Sequence, residues 1–257
     1  MTWLLIDGNN WFARDFFASS DSAADNFLRR LDDLRSQIIH TRVAICWDAR
    51  SSFRHELSEG YKAKRAAKPD GFYRNLTELR NDLATLVGVY SFHAEGFEAD
   101  DLLATLVRNA QDEGDRAIIF SSDRDLHQCL VPGIVSQVVQ VSRLKPGQLS
   151  FSTMTADKLE LEYSVKPWQW IDYRTMVGDN SDCIPGCRGV GPKAATEVLR
   201  KCQTLDRFFE QPFLPAIQPK QRQALLAFKP EVNLRRRLIT LCESAPLPAL
   251  WLEGITL

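Results

Sequence analysis

Two neighbouring segments decide the fold: Gly96-Phe-Glu98-Ala-Asp100-Asp101-Leu-Leu-Ala-Thr-Leu106, and then Ile118-Ile-Phe-Ser-Ser-Asp123-Arg-Asp125-Leu126. The first predicts an amphipathic helix, because three acids precede a stripe of apolar residues at helical spacing. The second predicts a buried strand that ends in Asp-Arg-Asp. A helix followed by such a strand is typical of an α/β fold with a central, mostly parallel sheet flanked by helices. Its ligand sites lie at the carboxyl edge of the sheet.

The acids of these segments are the first candidate site: Glu98, Asp100, Asp101, Asp123 and Asp125. One or two acids at a helix N-terminus need no function, because they complement the helix dipole. Five acids on two adjacent elements repel one another and raise one another's pKa unless cations neutralise them. Hard oxygen ligands without nearby His or Cys favour Mg²⁺ or Mn²⁺ over zinc. The pattern therefore predicts a divalent-metal site.

Two earlier apolar strands also end in an acid. Trp3–Ile6 leads to Asp7, and Val43–Trp47 leads to Asp48. Asp in such a place often only caps a turn. Since neighbouring parallel strands end at the same edge, we expect both acids to lie near Asp123.

Composition sets the broad class. The chain has 257 residues, a net charge of −1 and six scattered cysteines. It is long enough for one large or two smaller domains. The cysteines are expected to be free thiols in a reducing cytoplasm. No apolar run approaches the length of a membrane span, and the N-terminus lacks the features of a signal peptide. We expect a cytoplasmic protein that does not enter a membrane.

The charges are segregated along the chain. Basic residues outnumber acids in three segments, 54–74, 188–207 and 220–237, whereas acids concentrate around the candidate metal site. Such segregation suits an enzyme that binds phosphates with basic segments, although each segment alone also fits a solvated helix face. Residues 51–94 show no strand signal. They predict a basic insertion followed by a helix from Phe72 to Gly88, which could cover the site and hold a nucleic-acid strand.

The second half of the chain is helical. Leu126–Val131 predicts a short helix, Ile134–Val141 a strand or hairpin, and 145–155 a polar segment with turns. Helical and basic sequence follows. We place the domain boundary near Ser164, between a first domain at 1–164, which contains the insertion at about 51–94, and a second domain at 165–257.

A third stretch combines glycines with two further acids, Asp179 and Asp182. Gly186, Gly189 and Gly191 predict a tight hairpin that opens onto a helix from Pro192 to Cys202. Backbone N–H groups at such a turn can reach a phosphate, and Lys193 adds charge. Glycine-rich turns alone are weak evidence, but the two acids immediately before this one strengthen it.

Taken together and in order, these motifs resemble the 5′-nucleases, which include bacterial and phage flap endonucleases and the N-terminal nuclease domain of bacterial DNA polymerase I. The resemblance runs from Leu4 to about Leu241. The motifs that carry it are Asp7-Gly8 with Arg14, Trp47-Asp48, Phe53-Arg54 to Tyr61-Lys62-Ala-Lys-Arg65, Glu98-Ala-Asp-Asp101, Ser122-Asp-Arg-Asp-Leu126, Gly178-Asp179 to Asp182, and Pro185-Gly to Gly-Val-Gly-Pro-Lys193.

The resemblance implies a PIN-like or resolvase-like nuclease core, a helical arch, a helix–three-turn–helix region and two clusters of bound divalent metals. It assigns Asp7, Asp48, Glu98, Asp100 and Asp123 to the first metal site. Asp125, Asp179 and Asp182 would serve the second, and Asp101 would be shared or lie behind the direct ligands. Lys62 and Arg65, with Arg54, would act on the scissile phosphate. Arg14, Lys193 and the turns from Gly186 to Gly191 would hold DNA, the turns often around a potassium ion.

The implied activity is metal-dependent 5′-3′ exonuclease and flap-endonuclease cleavage of DNA that leaves a 5′-phosphate. Two divalent ions about 3.5–4 Å apart can both activate water and stabilise charge on the phosphate. Flap, nicked or overhang duplexes would be the substrates. We expect a monomer that acts alone or with a DNA polymerase in trans.

Two positions depart from the family pattern. Cys183 replaces the usual Asn, and Ala13 replaces an aromatic residue that can stack on a terminal base. Trp11, Phe16 and Phe17 are the candidates to take over that stacking.

Other functions explain fewer of these features. A structure-specific DNA-binding protein without strong catalysis would not need so many acids. A PIN-type ribonuclease would lack the glycine hairpin. An Asp-nucleophile phosphatase would have Asp-x-Asp after its first strand, and a structural protein explains none of the clustering.

Overall fold

The computed structural model describes residues 1–212, 215–248 and 251. The chain forms two compact units that are not consecutive segments. The first contains Met1–Ser52, Ala67–Thr155 and the described residues from Leu241 onward, and the second contains Phe53–Ala66 and Ala156–Thr240. Each half of the sequence on either side of Ser164 therefore contributes a segment to the other half's compact unit, and the boundary near Ser164 stays a prediction. The predicted second domain also includes 213–214, 249–250 and 252–257, which lie outside the described residues.

The first unit is built on a six-stranded sheet with the strand order β3-β2-β1-β4-β5-β6. Strands β1 to β5 run parallel, and β6 pairs antiparallel with β5. This confirms the predicted mostly parallel sheet. The central strand β1 lies between β2 and β4, so the ends of these three strands meet at one edge. The strands are β1 Thr2–Asp7, β2 Arg42–Cys46, β3 Tyr90–Phe92, β4 Arg116–Phe120, β5 Val135–Lys145 and β6 Gln148–Met154.

Helices cover both faces of the sheet. The alternation of side chains along β1 directs Leu4 and Ile6 into the core formed with α1, α2 and α4, whereas Trp3 and Leu5 face the core formed with α5. The helices described are α1 Gly8–Ala18, α2 Ala23–Gln37, α3 Phe53–Leu57, α4 Phe72–Leu83, α5 Ala99–Asp112, α6 Ala156–Tyr163, α7 Trp170–Val177, α8 Pro192–Cys202, α9 Leu205–Glu210, α10 Pro219–Phe228 and α11 Val232–Ile239. Within the described ranges, none of them has the length and hydropathy that a bilayer crossing needs.

Two strands were not predicted. Strand β3 is only three residues long, too short for its alternation to stand out within 51–94. Strand β6 lies in the segment predicted to be polar and irregular. Its small polar residues hide a hairpin partner of β5 that buries Leu149 and Met154, and Gly147 forms the turn with a φ of 76°.

The second unit is helical, with one short antiparallel pair of strands, β7 Gly178–Asp179 and β8 Ile184–Pro185. Two glycines let the backbones in this region touch. A Cβ on Gly178 would lie 2.4 Å from the Gly186 nitrogen, and one on Gly186 would lie 2.4 Å from the Val177 carbonyl carbon. Real Cβ atoms do not approach backbone this closely, so the fold needs both glycines for packing.

We predict that Gly186→Ala lowers the free energy of unfolding by about 2 kcal/mol or more, because the added methyl group must push backbone aside. Gly191→Ala is the matched control, because a Cβ there meets nothing within 4 Å and its φ of −94° suits any residue. Chemical denaturation of both variants is the measurement. Equal stabilities would contradict the packing role of Gly186.

Candidate active site

Asp7 is the centre of the acidic site in the first unit. It is the last residue of β1 and caps the N-terminus of α1, and its side chain is buried. One carboxylate oxygen, Oδ1, accepts the Asn10 N–H at 2.9 Å, and Oδ2 accepts the Ser121 hydroxyl at 2.7 Å. These contacts fix the carboxylate at the carboxyl edge of the sheet, where the sequence predicts it.

Asp48 connects strand β2 with the N-terminus of α5. Its N–H donates to Asn9 Oδ1 at 2.9 Å, and its own Oδ1 accepts the Ala99 N–H at 2.9 Å. Glu98 caps that helix and Asp100 lies in its first turn, so the contact ties both to the loop after β2. The predicted acids of β1, β2 and α5 thus belong to one end of the first unit.

The loop after β4 carries Asp123 and Asp125. Asp123 accepts the Asp125 N–H at 2.8 Å, and its own N–H donates to Ser121 Oγ at 3.1 Å. Gln137, which is fully buried in β5, donates to the carbonyl oxygens of Ser121 and Asp123 at 2.8 and 2.6 Å. Sequence reasoning missed Ser121 and Gln137, because an isolated polar residue at a strand end or within a strand carries no pattern.

The acids interact strongly. Burial, together with the negative charges of Asp48 and Asp123, raises the pKa of Asp7 from 3.8 to about 7, against the hydrogen bonds of Asn10 and Ser121. Burial and the charges of Asp7 and Asp100 also raise the pKa of the Cys46 thiol. This end of the unit therefore has an excess of negative charge in a dry environment. A hard divalent cation would neutralise it, and the all-oxygen donor set fits Mg²⁺ or Mn²⁺.

Asp101 differs from the other acids of α5. It is fully buried, and its carboxylate accepts the Glu98 N–H at 3.1 Å and the Cys242 N–H at 2.8 Å. Thr105 makes similar contacts one turn later, where its hydroxyl accepts the Ala245 N–H at 3.0 Å. These bonds hold the chain after Leu241 against α5. They favour a role for Asp101 behind the direct ligands, which was one of the two roles that the resemblance implies.

In the second unit, the Asp182 carboxylate lies beside Lys62 and Arg65, which are predicted to act on the scissile phosphate. It is buried, and it accepts the Tyr61 hydroxyl at 3.2 Å and Arg65 Nη2 at 2.7 Å. Lys62 Nζ lies 3.8 Å from the same carboxylate, and the Lys62 N–H donates to the Asp182 carbonyl at 3.0 Å. Lys62 has a φ of 54°, a strained conformation for a residue other than glycine. The structure therefore brings Lys62 and Arg65 together at one acid.

Asp179 has its own partners. It forms an ion pair with Arg174 and accepts the Ser181 N–H at 2.7 Å and the Ser181 hydroxyl at 2.5 Å. Burial alone would raise the pKa of Asp179, but the hydrogen bonds of Ser181 and the charge of Arg174 outweigh it and hold the pKa below 3.8. Asp179 is therefore ionised across the physiological range.

The glycine turn divides into a packing part and an open part. Gly186 is packed against the residues before it, as described above, so it has no room for a ligand at its Cα. Gly189, with a φ of 86°, and Gly191 face open space, and Gly191 begins α8 without a side-chain cap. Lys193 is exposed in the first turn of that helix. This open end suits close approach of a phosphate.

Arg54 is 1% exposed, and it donates to the carbonyl oxygens of Leu238 and Thr240 at 2.9 Å each. It therefore holds the C-terminal end of α11 in place, and its role at the scissile phosphate stays a prediction. A basic residue in a basic segment gave no sign that it would be buried.

The two departures from the family pattern have visible consequences. Cys183 has a φ of 58°, a conformation that Asn adopts more readily than Cys, so the substitution strains this turn. Trp11 and Phe16 are buried and cannot stack on a base, whereas Phe17 is 62% exposed. Arg14 is also exposed, on α1.

Comparison with known families agrees with this geometry. The family described as 5′-3′ exonuclease, N-terminal resolvase-like domain, matches residues 2–163. The 5′-3′ exonuclease C-terminal SAM fold matches residues 165–254. The chain belongs to the 5′-3′ exonuclease family. The thermostable DNA polymerase I of Thermus thermophilus is 34% identical over 95% of this chain but only 29% of its own length. The chain thus spans less than a third of the length of that curated relative.

Solved structures share the fold of this chain. T5 5′-exonuclease with bound divalent metal ions (zinc) has a TM-score of 0.79 at 21% identity, over 93% of this chain and 89% of that one. The catalytic core of Rad2 in complex with DNA substrate has a TM-score of 0.59 at 16% identity, over 98% of this chain and 84% of that one.

We predict a pH-dependent stability that originates at Asp7. An acid whose pKa is higher in the folded than in the unfolded chain destabilises the fold when it ionises, so in EDTA the free energy of unfolding should fall as the pH rises from about 4 to about 7. The loss should be roughly a few kcal/mol and should level off above pH 7. Asp7→Asn should flatten this slope, since the amide retains hydrogen-bonding groups for Asn10 and Ser121. Urea denaturation between pH 4 and 8 measures it, and equal slopes in both proteins would contradict the origin at Asp7.

Proposed function

We propose that this 5′-3′ exonuclease family member is a metal-dependent nuclease. It would hydrolyse phosphodiester bonds in DNA with a free or single-stranded 5′ end and leave a 5′-phosphate. The observation that carries the proposal is the buried Asp7 carboxylate, whose pKa is raised by burial and by Asp48 and Asp123. Burying an ionised carboxylate beside other acids costs free energy. Cations bound at the carboxyl edge of the parallel sheet would offset that cost.

Asp7, Asp48, Glu98, Asp100 and Asp123 would hold the first metal, which we propose to be Mg²⁺ or Mn²⁺. When bound, divalent ions supply an activated water and stabilise the charge that develops on the phosphate. Ser121 and Asn10 keep the Asp7 carboxylate oriented, and Asp48 holds the start of α5 in place through Ala99. Asp101, tied to Cys242 and Glu98, would position that helix without binding metal directly.

The family motif assigns Asp125, Asp179 and Asp182 to a second metal. Ionised Asp179 and buried Asp182 have the charge that this role requires. In the chain alone, Arg174 neutralises Asp179, and Lys62 and Arg65 neutralise Asp182. A bound cation would replace these partners, and Lys62 and Arg65 would then be available to offset charge on the scissile phosphate.

The open turn at Gly189 and Gly191, with Lys193, would hold the phosphates of a duplex through backbone N–H groups at the start of α8. A potassium ion in this turn is part of the same proposal and rests on the family resemblance. We also propose a monomer in the cytoplasm that acts alone or together with a DNA polymerase. Besides the glycine turn, the exposed Arg14 of α1 would also contact substrates with branches, nicks or overhangs.

The decisive test is cleavage of a labelled 5′-flap duplex in Mg²⁺ beside single-stranded RNA of the same length, with Asp7→Asn as the inactive control. We expect the flap to be cut with a 5′-phosphate on the product, the RNA to be cut at least tenfold more slowly, and both reactions to disappear in EDTA. Preferential cutting of RNA would support a PIN-type ribonuclease instead. Flap binding without any cleavage would leave a DNA-binding protein.

We predict that Lys62→Ala lowers single-turnover cleavage of the flap by roughly 10²–10³, as expected when one preorganised contact to transition-state charge is removed. Binding of the same flap in Ca²⁺ should change only a few-fold. Lys158→Ala is the matched control, because Lys158 pairs with Glu162 on the exposed face of α6. Its cleavage rate should equal that of the wild type. A similar small effect of both substitutions would remove Lys62 from the catalytic machinery.

A further inference from the structure

An arginine-lined cavity in the first unit shares Arg14 with the DNA-binding residues proposed above, and its other residues have no part in that proposal. Its volume is about 200 Å³, and it lies between α1, α2 and the β5–β6 hairpin. Three arginines line it, one from each of α1, α2 and β5: Arg14, Arg30 and Arg143. The sequence gives no sign of this grouping, because the three residues are 129 positions apart from first to last along the chain (143 − 14).

The three guanidinium groups differ in their partners. Arg30 is nine-tenths buried, stacks 4.1 Å from the Trp11 ring centroid and donates to Asp15 at 2.7 Å. Its Nε–H is buried and makes no hydrogen bond to any residue that the structure describes. Arg143 pairs with Asp33 of α2. Arg14 forms no ion pair within the described ranges. The cavity is therefore lined by one cation, Arg14, that has no counter-ion among the described residues.

Charge in the cavity is unbalanced toward positive. Asp15 is the one acid among the described residues that line it, and Asp33 neutralises Arg143 from outside. Burial is the main reason that the pKa of Arg30 falls to about 10. The Asp15 carboxylate opposes this shift, whereas the like charges of Arg14 and Arg143 add to it. Arg14 and Arg143 are thus both close enough to Arg30 to repel it. An anion in the cavity would relieve this repulsion.

A second cavity, of about 210 Å³, shares Arg14 and Val141 with the first. It also reaches Asn10, Ser121 and Ser122, two of which orient the Asp7 carboxylate. A polyanion that passes the acidic site could therefore place a neighbouring phosphate beside Arg14. Planar guanidinium groups match phosphate oxygens with paired hydrogen bonds.

We propose that Arg14, Arg30 and Arg143 form a phosphate-binding site in the first unit, separate from the metal-binding acids and from the glycine turn. The proposal rests on the proposed function for its ligand, since a nuclease supplies phosphates of two kinds. These are the diester backbone of bound DNA and the 5′-monophosphate of a released nucleotide. Asp15 limits the affinity, because its carboxylate opposes an anion in the same cavity.

Two substitutions test the site in opposite directions. Arg143→Gln removes a cation of the cavity and should weaken flap binding in Ca²⁺ roughly tenfold, the loss expected for one charge-assisted contact. It should also reduce the slope of log affinity against log salt by about 1. Asp15→Asn keeps the shape of the side chain and removes the opposing charge, so it should tighten binding. Arg108→Gln is the matched control, because Arg108 is a half-exposed arginine that pairs with Asp112 on α5.

Titration of the same four proteins with deoxythymidine 5′-monophosphate, followed by NMR of the arginine Nε–Hε groups, separates the two sources of phosphate. A change in DNA binding assigns the site to the DNA backbone, and a change confined to the nucleotide titration assigns it to the released product. If Arg143→Gln, Asp15→Asn and Arg108→Gln match the wild type in both assays, the site does not exist. In that case flap cleavage by the wild type still decides the proposed function. Melting temperatures identify any variant that fails to fold, and Asp15→Asn and Arg143→Gln are then judged separately.

Discussion

The structure of the first unit depends on one unfavourable arrangement, the burial of the Asp7 carboxylate beside Asp48 and Asp123. The parallel order of β2, β1 and β4 makes this arrangement unavoidable, because each strand delivers its acid to the same edge. Hydrogen bonds from Asn10 and Ser121 reduce the cost but do not remove it, since the pKa of Asp7 stays near 7. The fold therefore carries a local electrostatic penalty above about pH 7, where Asp7 is ionised, and a bound cation would relieve it. The strand order of the sheet thus determines where these acids meet.

In the second unit, basic side chains offset the cost of burying an acid. Asp182 is buried and would be costly alone, but Tyr61, Lys62 and Arg65 surround its carboxylate. Breaking such a buried pair by removing one partner is expensive, whereas exchanging one cation for another is not. The segment that contains Lys62 and Arg65 is thus held in place by an acid that also has a predicted role as a metal ligand. Structural order in that segment and occupancy of the acid are physically linked.

Much of this could be predicted from the sequence, and the reasons are specific. Acids at the ends of apolar strands and a capped amphipathic helix are local patterns, so Asp7, Asp48 and the N-terminus of α5 were predicted correctly in place. Arg54, Gln137 and Asp101 could not be understood in the same way, because their partners lie far away in sequence, at Leu238, Ser121 and Cys242. Strand β6 was missed because its polar residues alternate with too few large apolar ones. Sequence patterns report local periodicity, whereas these residues obtain their roles from long-range contacts.

The interlaced composition of the two units has a consequence for how the protein can be divided. Residues 53–66 belong with the second unit, and the described residues from Leu241 onward belong with the first. If the chain were divided near Ser164, the first fragment would lose the apolar residues after Leu241, including Trp251, which packs against Trp3. The second fragment would lose Arg54 and Arg65, which bind Leu238 and Asp182. Each half therefore lacks contacts that its own compact unit contains. The two regions are expected to be more stable when they are expressed together than when they are expressed as separate halves.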